Sequence, residues 1–285
     1  MQIPVFYSEQ MVADSMGFSP RAGRPTEVVQ SWQALGLPLQ ILPPTPASRT
    51  QLERAHERWY VQGVLDGSIQ NGFGNHSPQV AASLPYTCGA MIDACLAALH
   101  NRTAAVAPCS GFHHAGYDFG GGFCTFNGLM VAALDLLITG KAAKVGILDL
   151  DMHWGNGTAD IIQKRGLGQV VVHDSRSVSQ HRAEAFLDQL AQDIRQRFAD
   201  CDLLIYQAGA DSHIDDPLGG YLTTAQMLRR DQIVFATCRE LGLPVAWNLA
   251  GGYQRDDNDS IRPVLDLHDN TMKAHAHTFL LEAAA

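Results

Sequence analysis

Short, nearly continuous apolar runs alternate along this chain with segments that carry helical patterns. Such a run is typical of a strand that is buried on both faces of a parallel sheet. The predicted strands are Ala104–Pro108, Lys144–Leu150, Gln169–His173, Asp202–Gln207 and Pro244–Leu249. The predicted helices are Thr87–Leu99, Phe126–Leu137, Thr158–Lys164, Arg182–Phe198 and Thr223–Leu241. This alternation predicts right-handed crossovers and a doubly wound α/β fold with helices on both faces of the sheet.

Composition narrows the classes of function. The formal net charge is -9, whereas non-specific nucleic-acid binding requires a basic footprint, so we expect no nucleic-acid partner. An acidic protein is compatible with a cationic substrate or a basic protein tail. The six cysteines include no CxxC pair, and we expect reduced, mostly buried thiols rather than disulfides.

The chain has no sequence signal of a second domain or of targeting. Residues 1–285 contain no internal repeat and no low-complexity linker, so we expect a single domain. Met1–Ser8 has neither the basic nor the apolar region of a signal peptide. No apolar run reaches the ~20 residues of a membrane span. The expectation is a soluble, cytoplasmic protein with no membrane partner.

Chemically unusual residues follow four of the predicted strands. Open α/β sheets bind ligands at the carboxyl ends of their strands, so residues that follow different strands can meet there. The four segments are Gly111–His114, Asp149–Gly157, Ala208–Asp211 and Ala250–Tyr253. Their convergence at one edge of the sheet would create a functional site.

The second segment carries two carboxylates and an imidazole at alternate positions, Asp149, Asp151 and His153. In extended backbone alternate residues point to one side, so the three side chains are predicted to face one volume. Buried charges are costly unless they are neutralised, and a divalent metal would do so. Asp211 can supply a further ligand, and two carboxylates with one imidazole leave the open position that catalytic zinc requires. The alternatives are a buried carboxylate–histidine network or two separate capping carboxylates.

Two further features could act beside such a metal. His113 and His114 could transfer protons near neutral pH, although adjacent histidines often lie in loops without function. Tyr253 follows two glycines, which permit a tight turn and a close approach to a ligand. Its hydroxyl could donate to a developing oxyanion, although a Gly-Gly-Tyr sequence is usually only a turn.

Four stretches, in their order and spacing, resemble the histone deacetylase family, which includes bacterial deacetylase-like amidohydrolases and acetylpolyamine amidohydrolases. They are GFHHAGYDFGGGFCTFN at 111–127, DLDMHWGNGT at 149–158, AGADSHIDDPL at 208–218 and GGY at 251–253. The resemblance runs from about Arg24 to Tyr253. It implies the arginase/deacetylase fold, a three-layer α/β/α sandwich around a mainly parallel sheet. It also implies a zinc-dependent amidohydrolase that acts on an acylated lysine or a small acylated amine.

The resemblance implies a role for each matching residue. The implied zinc ligands are Asp151, His153 and Asp211. The implied catalytic residues are His114 as general base, His113 near the leaving amine, Asp149 as the partner of His113, Asn156 as the partner of His114, and Tyr253 as the group that polarises the amide carbonyl. Gly122 and Phe123 match a wall of the acyl-lysine tunnel, and Leu218 falls at its rim. A carboxylate beside His113 would favour its protonated form, whereas the neutral Asn156 would leave His114 freer to act as a base.

Several positions depart from the family pattern. Gly155 and Gly209 correspond to additional carboxylate ligands in arginases, so we expect a single metal and no ureohydrolase activity. The long Gly/Pro-rich loop of the family is reduced here to residues 174–181, which would leave a wider or differently closed pocket. Val171 lies near the position of a serine that often helps to hold a structural potassium ion. Backbone carbonyls of residues 149–153 could still bind K+.

The remaining candidates are interpreted as surface features. We expect His268, His275 and His277 on the solvated face of a last helix, and residues 256–259 in a solvated loop or helix start. Residues 71–75 could form part of the pocket rim.

Besides an amidohydrolase, two functions remain open: a zinc esterase or thioesterase with the same oxyanion donors, and a non-catalytic acyl-lysine binder. Iron(II) accepts the same ligands as zinc.

Overall fold

The computed structural model describes residues 2–15 and 24–281. Within these residues, strands and helices alternate along most of the chain. The strands are β1 (Ile3–Phe6), β2 (Leu39–Leu42), β3 (Ala104–Ala107), β4 (Val145–Asp149), β5 (Val171–Ser175), β6 (Leu203–Gly209) and β7 (Val245–Ala250). The helices are α1 (Arg24–Ala34), α2 (Arg49–Ala55), α3 (Arg58–Leu65), α4 (Pro78–Asn101), α5 (Gly128–Ile138), α6 (Asn156–Arg165), α7 (Ala183–Phe198), α8 (Thr224–Leu241) and α9 (Arg262–Ala276).

The strands form one sheet in the order β2-β1-β3-β7-β6-β4-β5, and every neighbouring pair is parallel. Each face of the sheet contributes to its own hydrophobic core. Along β6, Leu204, Tyr206 and Ala208 pack into one core, while Leu203 and Ile205 pack into the other. Helices α1, α7, α8 and α9 cover the first face, and α2 to α6 cover the second. The predicted three-layer α/β/α architecture is therefore confirmed.

The strands and helices predicted from the sequence are present with shifts of one or two residues at their ends, except at the start of α4, but the first strands and several helices were not predicted. Helix α8 begins with a capping box at Thr223, whose side chain accepts from the backbone N–H of Gln226. All six cysteines are free and buried, as predicted. Helix α4 begins at Pro78, nine residues before the predicted start at Thr87, and Pro85 lies inside it.

Helix α4 is long and apolar enough to cross a membrane by length and composition alone. In this fold, 61% of its most apolar window is buried. Its apolar residues pack against β1, β3 and β7 and against α5. These contacts are those of a core helix, and the absence of a membrane partner stays a prediction.

The prediction of a solvated histidine face on the last helix is wrong for two of its three residues. His268 and His275 are each 1% exposed, whereas His277, just beyond α9, is exposed. The Nδ1 of His275 accepts a hydrogen bond from the indole N–H of Trp247 at 2.9 Å, and its ring contacts Phe235 and Phe279. Burial lowers the pKa of His275 to about 3. These histidines are neutral residues of the core.

Acid should destabilise this fold through its buried histidines. Burial lowers the pKa of His56 to about 4, and both of its ring nitrogens are used by the backbone of Gly116 and Asn127. Because the folded-state pKa values of His56 and His275 lie below the unfolded value of 6.5, the unfolded chain binds protons first. Their contribution is present above pH 6.5 and is lost as the pH falls towards 4, at about 1.4 kcal/mol per pH unit for each histidine.

Urea unfolding at pH 7.5 and pH 5 measures this loss. His275→Gln keeps an acceptor for Trp247 but cannot be protonated, so its stability should fall less between the two pH values. His100→Gln changes an exposed histidine and serves as the matched control. An equal pH dependence in all three proteins would contradict the assignment of His275 as a neutral core residue.

Candidate metal centre and active site

Four adjacent strands carry the four segments that the sequence singled out. In the sheet order β3-β7-β6-β4, these strands are direct neighbours. Each segment begins within one residue of the carboxyl-terminal end of its strand or beyond it, where parallel sheets bind ligands. The structure therefore brings together residues that lie up to about 140 positions apart in the sequence.

Asp151, His153 and Asp211 form a compact cluster of possible metal ligands. One ligand atom from each lies within 4.8 Å of the others. The Nδ1 of His153 is 3.2 Å from Oδ1 of Asp151 and 3.1 Å from Oδ2 of Asp211. Two ligands bound tetrahedrally at ~2.0 Å from a common zinc lie about 3.3 Å apart, so these separations fit a shared ion.

The charges in this cluster also fit a cation. Asp151 and Asp211 are at most 1% exposed. Burial and the charge of Asp151 raise the pKa of Asp211 to about 7. Hydrogen bonds to Asp151 and Asp211 raise the pKa of His153 to about 10, so positive charge is favoured here. A divalent ion would supply that charge and allow the imidazole to bind as a neutral ligand.

Asp149 does not share the volume of the other three residues, so the prediction from strand alternation is wrong for it. Strand β4 ends at Asp149, and the chain bends through residues 151–153. Oδ2 of Asp149 lies 2.7 Å from Nδ1 of His113, and its Oδ1 accepts from the amide of Gln207 at 3.0 Å. The carboxylate therefore orients an imidazole and is not part of the metal cluster.

The two adjacent histidines have different partners. Nδ1 of His113 faces the carboxylate of Asp149, and both side chains are almost fully buried. Nδ1 of His114 lies 2.6 Å from Oδ1 of Asn156, the first residue of α6. An amide oxygen can only accept, so Nδ1 of His114 carries the proton and its Nε2 is left as the basic nitrogen. The ring centroids are 4.0 Å apart for the two histidines and 6.1 Å apart for His114 and His153.

A tight turn places Tyr253 beside this group. Gly251 and Gly252 have φ values of +50° and +88°, which favour glycine. The buried guanidinium of Arg24 donates to both of their carbonyl oxygens. The backbone N–H of Tyr253 donates to Oδ2 of Asp216 at 2.8 Å. Contacts from α1 and from the segment after β6 thus hold the turn, while the Tyr253 side chain is 6% exposed.

The residues expected to line the acyl-lysine tunnel lie near the histidines and the Tyr253 turn. Gly122 has φ +53°, and a Cβ there would be 2.5 Å from Cδ2 of His114, so this backbone lies against that ring. The ring of Phe123 is 5.9 Å from that of Phe73 and 6.1 Å from that of Tyr253. Leu218 is 45% exposed, and its N–H donates to Asp216, the same residue that holds Tyr253. The loop that contains Phe73 therefore borders the site.

The segment that follows β5, on another side of the site, is short, as the sequence indicated. Only residues 176–179 separate β5 from the 3₁₀ turn Gln180–Arg182 that precedes α7. Trp154 is 58% exposed there, and its indole packs at 5.5 Å on the ring of His173. The metal cluster consequently has an exposed aromatic neighbour on this side.

Three positioning residues were not found from the sequence. Gln207 holds Asp149, while Arg24 and Asp216 hold the Tyr253 turn. Arg24 lies 227 positions before Gly251, so no local pattern connects them. Asp216 lies in the stretch 208–218 that resembles the family, but it follows a second aspartate, Asp215. Nothing in the sequence indicates which of the two holds the turn.

Comparisons with known proteins agree with this arrangement. The model of the histone deacetylase domain matches residues 20–184 and 168–264. An uncharacterized protein of Picosynechococcus sp. is 30% identical over 79% of this chain and 82% of its own length. Acetylpolyamine amidohydrolase 1 of Pseudomonas aeruginosa is 29% identical over 50% of this chain and 48% of its own length. The crystal structure of the HDA15 HD domain superposes with a TM-score of 0.77 at 21% identity, covering 98% of this chain and 90% of that one. The fold, the sheet-edge site and the domain match together show that this chain belongs to the histone deacetylase family.

Proposed function

We propose that this protein is a zinc-dependent deacylase that hydrolyses the N-acyl amide, in the first instance N-acetyl, of lysine or a small amine. Family membership supports a deacetylase activity. The observation that carries the finer proposal is the cluster of Asp151, His153 and Asp211 beside two histidines with unlike partners. Such a set combines metal ligands, a base and an acid within one sheet edge.

Asp151, His153 and Asp211 would hold a single zinc ion. When bound, the ion supplies Lewis acidity and lowers the pKa of a coordinated water. Gly155 and Gly209 have no side chain to ligate a second ion, and a Cβ at Gly209 would meet the backbone of Asp151 at 2.4 Å. A structural potassium ion near the carbonyls of residues 149–153 stays a prediction.

The two histidines would divide the proton transfers. His114 accepts the proton of the attacking water at Nε2, because its Nδ1 proton is committed to Asn156. His113, beside the buried carboxylate of Asp149, is stabilised in its protonated form and delivers a proton to the departing amine. An amine is too basic to leave unprotonated, so this delivery is needed for amide cleavage.

Tyr253 would stabilise the charge that develops on the carbonyl oxygen. A preorganised hydroxyl donor in a site with little water is worth far more than the same donor in solution. The turn is preorganised by Arg24 and Asp216, so the hydroxyl needs little rearrangement during the reaction. Phe123 and Gly122 would line the channel for the acyl amine, and Leu218 would lie at its rim.

The proposal is tested with protein that has been stoichiometrically loaded with Zn2+. Acetylated peptides, acetylated amino acids, acetylated diamines and the matching esters are assayed for hydrolysis. We expect amide hydrolysis that is abolished by chelation and restored by zinc. Asp151→Asn should lose bound metal and activity together, whereas Asp257→Asn, which changes an exposed carboxylate, should keep both.

Other outcomes identify the alternatives. Turnover of esters with negligible turnover of amides would replace the deacylase by an esterase or thioesterase. Equal binding of acylated amines by fully metallated protein, without hydrolysis of any of them, would indicate an acyl-lysine binder.

A further inference from the structure

A cavity of about 360 Å³, open to solvent, is bordered by the Tyr253 turn. Its lining residues come from two segments, Asp215 and Pro217 after β6, and Tyr253, Gln254 and Arg255 after β7. Tyr253 therefore belongs both to the proposed reaction site and to the wall of this cavity. A substrate whose acyl amide reaches Tyr253 can place the rest of its carrier here.

The buried carboxylate of Asp216 ties the two segments together. It accepts from the backbone N–H of Tyr253 at 2.8 Å and from that of Leu218 at 3.0 Å. The cavity walls are thus fixed relative to each other and to Tyr253. Groups on the two walls can act on a ligand at defined positions, because little conformational freedom has to be lost on binding.

Opposite charges face this cavity from its two walls. The side chain of Asp215 is 75% exposed, and its Oδ2 lies 3.8 Å from Nδ1 of His213. Arg255 contacts the carbonyl and carboxylate oxygens of Asp259. Among residues 2–15 and 24–281, no ion pair joins Asp215 to Arg255, although both line the same space.

Gln254 adds an amide to the wall that carries Arg255. Its Nε2 atom is buried and has no hydrogen-bond partner among the described residues. A buried donor without a partner is unfavourable, so a rotation of this side chain towards a ligand oxygen in the cavity would satisfy it. The cavity therefore offers a carboxylate on one wall, and a guanidinium and an amide donor on the other.

We propose that the amine carrier is a free α-amino acid, acylated on its side-chain amine and retaining both α-charges. The α-ammonium group meets Asp215, and the α-carboxylate meets Arg255 and the amide of Gln254. A residue within a peptide has neither charge, and an acylated diamine has only the ammonium. This inference rests on the proposed deacylase function and specifies its substrate class.

The test uses zinc-loaded protein and four compounds: Nε-acetyl-lysine, its N-methylamide, its Nα-formyl derivative, and the derivative with both caps. We expect kcat/KM to fall roughly 10-fold for each α-charge removed, equivalent to about 1.4 kcal/mol. The fall should appear as a higher KM, while kcat stays nearly unchanged. Asp215→Asn should reproduce the loss only for compounds that carry the ammonium. Arg255→Gln should do so only for compounds that carry the carboxylate. Asp257→Asn, an exposed carboxylate that does not line the cavity, should act on none of them.

The inference is overturned if the doubly capped compound or N-acetylputrescine is hydrolysed as efficiently as free Nε-acetyl-lysine. It is also overturned if each variant affects all four compounds equally. Should no amide be hydrolysed, the deacylase function fails, and the cavity is then tested separately by calorimetry with lysine and lysine methylamide. Tighter binding of lysine, lost in Arg255→Gln, would retain the cavity assignment, and equal binding of the two would remove it.

Discussion

Replacing Tyr253 by phenylalanine is expected to lower kcat by roughly 10²–10³-fold while the bound metal is retained. The substitution removes one hydroxyl and keeps the ring that contacts Phe123 at 6.1 Å. The backbone of the turn is held by Arg24 and Asp216 and does not depend on the hydroxyl. The loss should therefore appear in kcat, because the donor is needed most when negative charge has developed on the carbonyl oxygen.

Steady-state kinetics and metal analysis on the same sample measure both properties. Tyr117→Phe removes a hydroxyl from the loop that follows His114 and serves as the matched control, with kinetics close to those of the wild type. Turnover of Tyr253→Phe within a few-fold of wild type, with zinc still bound, would remove the oxyanion role. A variant that had lost its metal would instead show that the tyrosine supports the metal cluster.

The central strands were predictable because their environment leaves a clear trace in the sequence. Strands β3, β4, β6 and β7 are buried on both faces, and each is a nearly uninterrupted apolar run. Strand β2 lies at the sheet edge and is only partly buried, so its four residues give no such signal. Position in the sheet is not the whole explanation, because the partly buried edge strand β5 was predicted and the mostly buried inner strand β1 was not.

Local patterns misled the sequence analysis where tertiary contacts override local preference. Helix α4 begins nine residues before its predicted start and continues through Pro85. His275 suggests solvent, yet an indole donor and aromatic packing satisfy it in the core. Trp247, which donates to His275, is distant from it in sequence, so the local pattern could not reveal this contact.

In the candidate site, too, some features could be predicted from the sequence and others could not. Convergence of the four segments followed from the rule for parallel sheets, and the ligand set followed from the residue types. The direction of Asp149 did not follow, because alternation applies only while the strand continues, and β4 ends at that residue. Residues that act through others, such as Arg24, leave no pattern near the groups that they hold.

Substitution of Gly251 by alanine is expected to weaken metal binding, although Gly251 is not itself a ligand. A Cβ at this position would lie 2.0 Å from Cγ of Asp211 and 2.3 Å from each of its carboxylate oxygens. The ligand would have to move, and changes in the groups that orient a ligand typically cost 10–100-fold in metal affinity. Because the same residue begins the Tyr253 turn, turnover should fall even when the metal is present in excess.

Backbone strain has to be separated from this contact. Gly251 has φ +50°, and alanine is disfavoured at positive φ wherever it occurs. Gly36→Ala is the matched control, because Gly36 has φ +69° and no atom within 4 Å of the added Cβ. Both variants should lose stability in thermal unfolding, but only Gly251→Ala should lose zinc to a competing chelator. If the two variants held zinc equally well, close packing of the turn against Asp211 would not be what positions this ligand.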